Sequence, residues 1–437
     1  MRIITLFLCL LTAQFALGQS SLYYPPITNE NWDTVDPTSL GWCQKGIDSV
    51  LQFLERKNSK SVIVLHKGKL AIEHYFDDYG RDSIWYWASS GKSLMAFLVG
   101  MAQDEGLLDI EDSTSHHLGT GWTSLTAAQE GKIKIRHQLS MNTGLDDEVA
   151  DVNCLTSSCL TYRTDPEARW AYYNAPYRLL QDVVANASGL TINQFTNQRM
   201  FNRIGMRGAW FNYVRFGRAR DMARFGLLML GEGIWDGDTL LHDQSYFQAM
   251  ITPSQALNSS YGYLWWLNGQ GSHMLPTVQL VFPSDLAPAA PNDMYSALGK
   301  NDQKIYVVPS LELVVVRQGE DAGESKLAVS SFDNQLWEYL NDVFCNSSTS
   351  IDRSFAESEL QIFPNPAKDR LTIQWTERSP KEGYLSLLDL QGKIVREQVA
   401  GAGSGQVELS LDNVPDGIYV VEVRRGGEVW REKVVVW

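Results

Sequence analysis

Residues 85–101 read WYWASSGKSLMAFLVGM, and this stretch decides the interpretation of the larger part of the chain. Ser89 and Lys92 lie three residues apart where apolar residues begin to recur at helical spacing, which predicts both side chains on one face of a first helical turn. A serine hydroxyl is a weak nucleophile until a neighbour takes its proton, and a partly desolvated lysine is able to do so. A Ser and a Lys at this spacing also occur by chance roughly once or twice in such a chain. The pair therefore needs support from the rest of the sequence.

A tyrosine and an asparagine further along the chain supply that support. Residues 172–174 read Tyr-Tyr-Asn and precede an apolar helical segment that begins near Leu179. A tyrosine beside a lysine can carry a proton between nucleophile and leaving group, while the asparagine can orient the lysine or a substrate carbonyl. Residues 339–341 read Tyr-Leu-Asn on a predicted helix near the end of the domain, and we interpret this second copy as a chance match.

The secondary-structure pattern of residues 19–345 has the order helix, hairpin, helical block, strands and helix. This order predicts one α+β layered domain, with an antiparallel sheet and a helical region. The predicted elements are a helix over about 40–56, a hairpin of strands 62–65 and 70–72, a mostly helical block from near Ser89 to about 250, strands over 304–316 and a closing helix over 331–344.

The order of these elements resembles that of the serine hydrolases related to class C β-lactamases and penicillin-binding proteins, over roughly residues 40–345. The segments around the two motifs also look like those of this family, namely 109–112, 133–145 and 187–190 followed by 204–206. The resemblance implies Ser89 as the acylated nucleophile, Lys92 as its base partner, Tyr172 as the proton shuttle and Asn174 as the substrate-positioning residue.

The third motif of this family is normally Lys or His, then any residue, then Gly, on the strand that edges the active site. Residues 295–300 read YSALGK, so Ala297 stands where the cation is expected, while Gly299 is retained. In β-lactamases that cation helps to hold the substrate carboxylate, and its absence counts against β-lactam hydrolysis. The sequence looks more like the branch that contains esterases and hydrolases of 6-aminohexanoate oligomers. Lys300 would add a positive charge, but strand alternation is expected to point it elsewhere.

Aromatic residues crowd the segments that carry these motifs. They can line an apolar acyl pocket, and Trp170 and Trp266 are the two that we assign to it. Packing in the core is the alternative, because it is the usual role of aromatic side chains. The predicted substrate-binding residues are Asn174, Ala297, Gly299, Lys300, Trp170 and Trp266.

The N-terminus predicts export. Residues 1–18 combine Arg2, an apolar run over 3–11 and small residues before position 19, which is the pattern of a signal peptide. A membrane anchor is the alternative, but the apolar run is shorter than the roughly 20 residues that a bilayer span needs.

Export changes the interpretation of the cysteines. Four remain after the signal peptide, an even number in an oxidising compartment, so two disulfides are plausible. Cys154 and Cys159 are close enough to close a local loop, which leaves Cys43 and Cys345 to pair across the large domain. A metal site and free thiols are the alternatives, and no histidine lies at ligand-like spacing from these cysteines.

A second domain follows a polar linker at 346–360. Short strands punctuated by turns predict a small all-β sandwich over 361–437. Residues 363–371 (FPNPAKDRL), 388–395 (LDLQGKIV) and 415–419 (PDGIY) resemble the C-terminal sorting domain of the type IX secretion system. The resemblance implies outer-membrane secretion machinery as a partner and a secreted or cell-surface location. A carbohydrate-binding or plain sandwich module is the alternative.

Composition and missing motifs narrow the function. The formal net charge of −14 disfavours nucleic acid, because its phosphate backbone would be repelled. No Gly-x-Ser-x-Gly motif of an α/β-hydrolase occurs, and His116 and His117 belong to no His-Glu-x-x-His motif. We therefore predict no cofactor and no metal.

These observations predict a secreted serine hydrolase that cleaves a small-molecule ester or linear amide through an acyl-enzyme on Ser89. Two alternatives stay open. One is a catalytically silent surface protein that keeps the penicillin-binding fold for ligand binding, and intact Ser89, Lys92 and Tyr172 disfavour it. The other is a D-amino-acid peptidase or β-lactamase, which the altered third motif at Ala297 disfavours.

Overall fold

The computed structural model describes residues 22–323, 328–345, 360–375, 383–401, 405–425 and 428–436. The predicted signal peptide and all but the last residue of the predicted linker lie outside these ranges. The described residues up to Cys345 form the predicted α+β layered domain, and those from Leu360 onward form a small all-β module.

The helices of the described residues belong to the layered domain. None of them is both long and apolar enough to cross a membrane. Their bounds are α1 Gln44–Arg56, α2 Gly91–Asp104, α3 Thr114–Leu118, α4 Ala127–Glu130, α5 Ile135–Leu139, α6 Asn174–Ser188, α7 Ile192–Thr196, α8 Asn202–Ile204, α9 Ala219–Leu230, α10 Gln244–Met250 and α11 Ser331–Val343.

The central sheet of this domain has six antiparallel strands in the order β2-β1-β13-β12-β11-β8. Its first hairpin forms where the sequence predicted it. The strands of the domain are β1 Ser59–His66, β2 Lys69–Tyr75, β3 Trp85–Tyr86, β4 Ala209–Phe211, β5 Val214–Gly217, β6 Ile234–Trp235, β7 Asp238–Thr239, β8 Trp266–Leu267, β9 His273–Met274, β10 Val281–Phe282, β11 Tyr295–Gly299, β12 Gln303–Val308 and β13 Leu313–Gly319.

Helices cover both faces of this sheet. Ile305 of β12 faces α9, where a Cβ added at Gly226 would come within 3.0 Å of its side chain. Tyr306, the next residue, points to the opposite face and meets Trp337 of α11. Phe53 of α1 lies on that second face too, since its ring stacks on two rings of α11. The result is a three-layered domain, as expected for a sheet that must bury both faces.

Helix α2 runs through the interior, and its residues from Gly91 to Ala102 are all buried. A helix that is apolar on almost every side is expected in this position. The block from Ser89 to about 250 is less uniformly helical than the sequence predicted, because short strands β3 to β7 interrupt it. These strands have only two to four residues, too few for the period-two pattern to be visible in the sequence.

The C-terminal module is a sandwich of a three-stranded sheet, β14-β15-β18, and a four-stranded sheet, β17-β16-β19-β20. Alternate residues of both sheets point inward, among them Leu371, Ile373, Leu385 and Leu387. The sequence pattern did not predict two of these strands, β14 and β17. The strands of the module are β14 Leu360–Phe363, β15 Arg370–Trp375, β16 Gly383–Leu388, β17 Ile394–Ala400, β18 Gln406–Ser410, β19 Gly417–Arg425 and β20 Glu428–Val436.

Both predicted disulfides are present. Cys43, directly before α1, pairs with Cys345, directly after α11, across 302 residues of sequence. Cys154 pairs with Cys159 and closes a short loop of the helical region. The first disulfide ties the two ends of the layered domain together, and the second acts locally.

Candidate active site

Ser89 lies in the middle of a one-turn 3₁₀ helix, Ala88–Ser90, that runs directly into α2. The chain enters this turn from β3, and the N–H of Trp87 donates to the carbonyl of Arg215 at 2.8 Å. Ala88 has a φ of +49°, a left-handed conformation that costs free energy for a residue other than glycine. Strained backbone of this kind clusters at functional sites, and here it immediately precedes the predicted nucleophile.

Lys92 brings its amine against this serine. Its Nζ lies 2.9 Å from Ser89 Oγ, and the residue is only 3% exposed. Burial, followed by the positive charge of Arg178, holds the pKa of Lys92 well below its usual range, because both disfavour the charged form. The rings of Tyr172 and Tyr177 flank the amine, with centroids 4.9 and 4.4 Å from Nζ. A buried lysine with a lowered pKa is suited to take a proton from a hydroxyl.

Tyr172 precedes α6 and faces the same serine. Burial raises the pKa of Tyr172 above its usual range, and hydrogen bonds with Ser89 and Trp266 offset only part of this effect. The ring of Trp266 stacks on that of Tyr172 with centroids 5.6 Å apart. The phenol therefore stays protonated near neutral pH and is suited to give a proton and take it back.

Asn174, the first residue of α6, connects the lysine to a neighbouring loop. Its Oδ1 accepts a hydrogen bond from Lys92 Nζ at 2.8 Å. Its Nδ2 donates to Asn153 Oδ1 at 3.1 Å. Of the two roles considered from the sequence, orientation of the lysine is the one for which the structure has a contact.

Two residues at this site were not anticipated from the sequence. Arg178 follows Asn174 by one helical turn on α6, so the i, i+4 spacing was a usable signal. Asn153 had no such signal, because it reaches Asn174 from a loop 21 residues earlier in the chain. The predicted Cys154–Cys159 disulfide indicated an ordered loop at this point but not where the loop lies.

Strand β11 borders the site on the other side. A Cβ added at Gly299 would lie 2.6 Å from the carbonyl oxygen of Trp87 and 3.0 Å from the nitrogen of Ser90, so glycine is required for this close approach. Ala297, two residues earlier, is completely buried. Lys300 is exposed and begins the 3₁₀ turn after β11. Lys300 therefore lies outside the strand whose alternation was used to predict its direction, and its role in binding substrate stays a prediction.

Trp170 and Trp266 belong to an aromatic cluster around Tyr172. Each is 1% exposed, and their rings meet edge to face with centroids 6.0 Å apart. Tyr261 completes the cluster, 4.8 Å from the ring of Trp266. Both tryptophan rings pack against the ring of Tyr172. Their role in binding substrate stays a prediction.

A cluster of potential metal ligands lies elsewhere in the helical region. Ligand atoms of Asp112, His116 and His117 are all within 4.8 Å of one another. The two imidazole rings are stacked, with centroids 4.8 Å apart and planes 22° apart. His117 Nε2 lies 3.3 Å from Asp112 Oδ2, so a hydrogen bond between these two side chains explains why they lie close together. The absence of a metal from the function stays a prediction.

Comparison with known families agrees with both domains. The β-lactamase family matches residues 51–318, which is more than half of the chain. The secretion system C-terminal sorting domain matches residues 361–437. No curated protein sequence matches the chain.

Solved structures share the fold of the layered domain. A Bacillus anthracis protein provisionally assigned as a 6-aminohexanoate-dimer hydrolase aligns with a TM-score of 0.56 and 16% identity, over 74% of this chain and 89% of that chain. A provisionally assigned β-lactamase from Bacteroides dorei aligns with a TM-score of 0.55 and 15% identity, over 69% of this chain and 99% of that chain. A penicillin-binding protein homologue from Caulobacter crescentus has a TM-score of 0.54 and 12% identity, over 69% and 98%. The chain belongs to the β-lactamase family and carries a secretion system C-terminal sorting domain.

Proposed function

We propose that this protein is a secreted serine hydrolase that cleaves an ester or a linear amide through an acyl-enzyme on Ser89. The observation that carries the proposal is the 2.9 Å distance between Lys92 Nζ and Ser89 Oγ in a buried site where the pKa of the lysine is low. A lowered pKa increases the neutral fraction of the amine, and the neutral amine can take the hydroxyl proton, whereas an exposed lysine stays charged.

In the acylation step, Ser89 Oγ bonds to the substrate carbonyl carbon while its proton passes to Lys92 Nζ. The tetrahedral adduct then collapses and the bond to the leaving group breaks. The departing alcohol or amine receives a proton from Tyr172, which regains one from Lys92. In the second half-reaction water loses a proton to Lys92 and bonds to the acyl carbon. The bond from that carbon to Ser89 Oγ then breaks, and Oγ takes the proton back from Lys92, which restores the free enzyme.

The backbone N–H groups of Ser89 and Lys300 are the proposed donors to the oxyanion. Ser89 precedes the N-terminus of α2, where unpaired N–H groups and the helix dipole favour negative charge. The close approach of Gly299 brings the end of β11, and with it Lys300, to the same turn. Two donors that converge on a developing oxyanion are the usual solution for acyl transfer.

The side chains at the β11 edge of the site favour a substrate that has no carboxylate next to its acyl group. Ala297 offers no charge at the position where the resemblance implies a cation, and Lys300 lies beyond the strand. In this proposal Asn174, Ala297, Gly299 and Lys300 border the bound acyl group. The printed assignment of the Bacillus anthracis relative, a 6-aminohexanoate-dimer hydrolase, is compatible with a linear amide.

We also propose the route by which the enzyme leaves the cell. Residues 1–18 would direct export, and the C-terminal module would engage the outer-membrane machinery of type IX secretion. The match of residues 361–437 to a sorting domain supports this route. The two disulfides support it as well, because they persist in oxidising compartments. The mature enzyme would then be secreted or held at the cell surface.

Intact mass after reaction with a fluorophosphonate tests the nucleophile. We expect one adduct on the wild type and none on Ser89→Ala. Ser90→Ala is the matched control, because the Ser90 hydroxyl donates to the carbonyl of Trp87 and does not face Lys92. A parallel panel of p-nitrophenyl esters, 6-aminohexanoate dimer, nitrocefin and a D-Ala-D-Ala peptide identifies the leaving group. A folded wild type with no adduct and no turnover would contradict the proposal and favour a silent ligand-binding protein.

A further inference from the structure

A continuous line of hydrogen-bonded side chains runs from the surface to the proposed nucleophile. Oδ1 of the exposed Asp151 accepts two hydrogen bonds from Asn153, one from its backbone N–H at 2.9 Å and one from its side-chain Nδ2 at 3.2 Å. Asn153 Oδ1 accepts from Asn174 Nδ2 at 3.1 Å. Asn174 Oδ1 accepts from Lys92 Nζ at 2.8 Å, and Nζ lies 2.9 Å from Ser89 Oγ. The line thus joins a carboxylate at one end to the proposed nucleophile at the other.

The two amide groups in this line have a defined direction for a chemical reason. A side-chain amide carries a donor on one side and an acceptor on the other, so either orientation has to be fixed by its partners. A carboxylate can only accept, so Asn153 presents its NH₂ to Asp151 and leaves its carbonyl oxygen for Asn174. Asn174 must then present its NH₂ to Asn153, which turns its own carbonyl oxygen to Lys92.

We propose that Asn153, held by Asp151, is a positioning residue that fixes the amide of Asn174 so that the lone pair of Lys92 is free for Ser89. This inference rests on the proposed acyl-enzyme mechanism. A neutral amine has two N–H donors and one lone pair. The carbonyl oxygen of Asn174 engages one N–H and leaves the lone pair for the hydroxyl proton. A flipped amide would instead donate to that lone pair and block the base.

The loop that carries Asn153 is tied to the catalytic segment at two points. The disulfide between Cys154 and Cys159 begins at the next residue and closes the loop. At its far end the hydroxyl of Tyr173 donates to the carbonyl of Cys159 at 3.3 Å. Tyr173 and Asn174 are neighbours. Asn153, directly before the closed loop, and Cys159, at its end, therefore both contact the segment that contains Tyr172. A closed loop has less conformational freedom and keeps Asn153 in reach of Asn174.

The first test compares Asn153→Leu with Ser158→Ala in the full chain. Leucine removes the acceptor at similar size, whereas the Ser158 hydroxyl lies against Thr156 in the same loop. The rate constant for fluorophosphonate labelling is measured across pH. We expect Asn153→Leu to lower the plateau rate roughly 10- to 100-fold. Its pH midpoint should also move down, because the carbonyl of Asn174 no longer stabilises the ammonium form of Lys92. Ser158→Ala should match the wild type.

The second test exchanges the side chains of Asp151 and Asn153. In the double variant Asp151→Asn with Asn153→Asp, a carboxylate at position 153 again can only accept, so Asn174 keeps its direction. The negative charge also moves closer to Lys92, which raises the pKa of that amine. We expect a rate near that of the wild type and a pH midpoint at or above it, opposite to Asn153→Leu. Equal losses in both variants with no opposite shift would overturn the positioning role.

A third measurement does not depend on activity. NMR titration of ¹³C-labelled lysine side chains gives the pKa of Lys92 directly, with Lys92→Met used for the assignment. We expect a lower value in Asn153→Leu and in the double variant Cys154→Ser with Cys159→Ser. An unchanged pKa of Lys92 in folded Asn153→Leu would overturn the inference, even if the fluorophosphonate reacts with the wild type. A lowered value in a chain that a fluorophosphonate does not label would support the positioning role and contradict only the proposed function.

Discussion

The two sides of the candidate active site differ in what they contribute. On one side, Ser89, Lys92, Tyr172 and Asn174 bring four polar side chains into direct contact. On the other side, β11 presents Ala297 and Gly299, neither of which has a polar side chain. The proposed reacting groups therefore all lie on one side, whereas β11 has no charged side chain at the position where the family resemblance implies a cation. If the proposed function is correct, the reacting groups and the group that selects a carboxylate are separable within this site.

The largest effect is expected on the polar side. Lys92→Met keeps the length of the side chain but removes the proposed base, and we expect the labelling rate to fall by about 10² to 10⁴. Lys132→Met, at an exposed ion pair, should leave the rate unchanged. Labelling is followed by intact mass, and circular dichroism confirms that the variant is folded. A rate within a few-fold of the wild type would mean that another group takes the serine proton.

A smaller loss is expected on the strand side. In Gly299→Ala the new Cβ would come 2.6 Å from the carbonyl oxygen of Trp87, so β11 or the nucleophile turn must move. We expect a roughly 10- to 100-fold lower labelling rate, because the proposed oxyanion donors separate. Gly80→Ala is the control, since a Cβ there meets nothing within 4 Å. If both variants behave alike, the distance between strand and turn has no role in the reaction.

The pH dependence of the labelling rate of the wild type tests whether Lys92 acts as the base. Burial lowers the pKa of this amine, and only its neutral form can act as a base. The neutral fraction increases as pH rises through that lowered pKa, so the labelling rate should increase about tenfold per pH unit below it and then level off. Stopped assays from acidic to alkaline pH measure the curve. A rate that keeps rising up to the usual range of a free lysine would contradict a desolvated base.

The smallest effect on activity is expected from restoring the missing charge. Ala297→Lys adds a long cation at a completely buried position, and we expect overpacking to cost about 1–3 kcal/mol without any nitrocefin hydrolysis. Thermal unfolding and nitrocefin assays measure the two outcomes, with Ala297→Ser as the control of small volume. Nitrocefin hydrolysis by a variant of unchanged stability would show that one charge alone separates this site from a β-lactamase.

The parts of the site that could be predicted from the sequence are those fixed by local geometry. Ser89 and Lys92 meet because they lie within one helical turn. Gly299 was named from the family resemblance, and the structure shows that a Cβ there would come too close to the Trp87 carbonyl oxygen. Tyr172 and Asn174 needed the resemblance to a family, since nothing local ties them to α2. The same is true of the pairing of β11 with the edge of the site.

The parts that could not be predicted depend on contacts made through space by irregular segments. Asn153 reaches Asn174 from a loop whose path no periodicity describes. The burial of Trp170 and Trp266 against Tyr172 depends on how two separate segments, 170–172 and the segment of Trp266, pack together. The short strands β3 to β7 form because neighbours pair with them, and their own residues carry too little pattern to indicate it.

The disulfide between Cys43 and Cys345 makes the layered domain a covalent ring that includes every residue of the candidate site. The chain that leads to the C-terminal module starts immediately outside this ring. A protease that cuts anywhere between Cys345 and Leu360 therefore breaks the covalent link to the sorting module without opening the ring. The part that remains keeps its longest crosslink, so the loop-closure entropy that this bond removes from the unfolded chain is unchanged by such a cut.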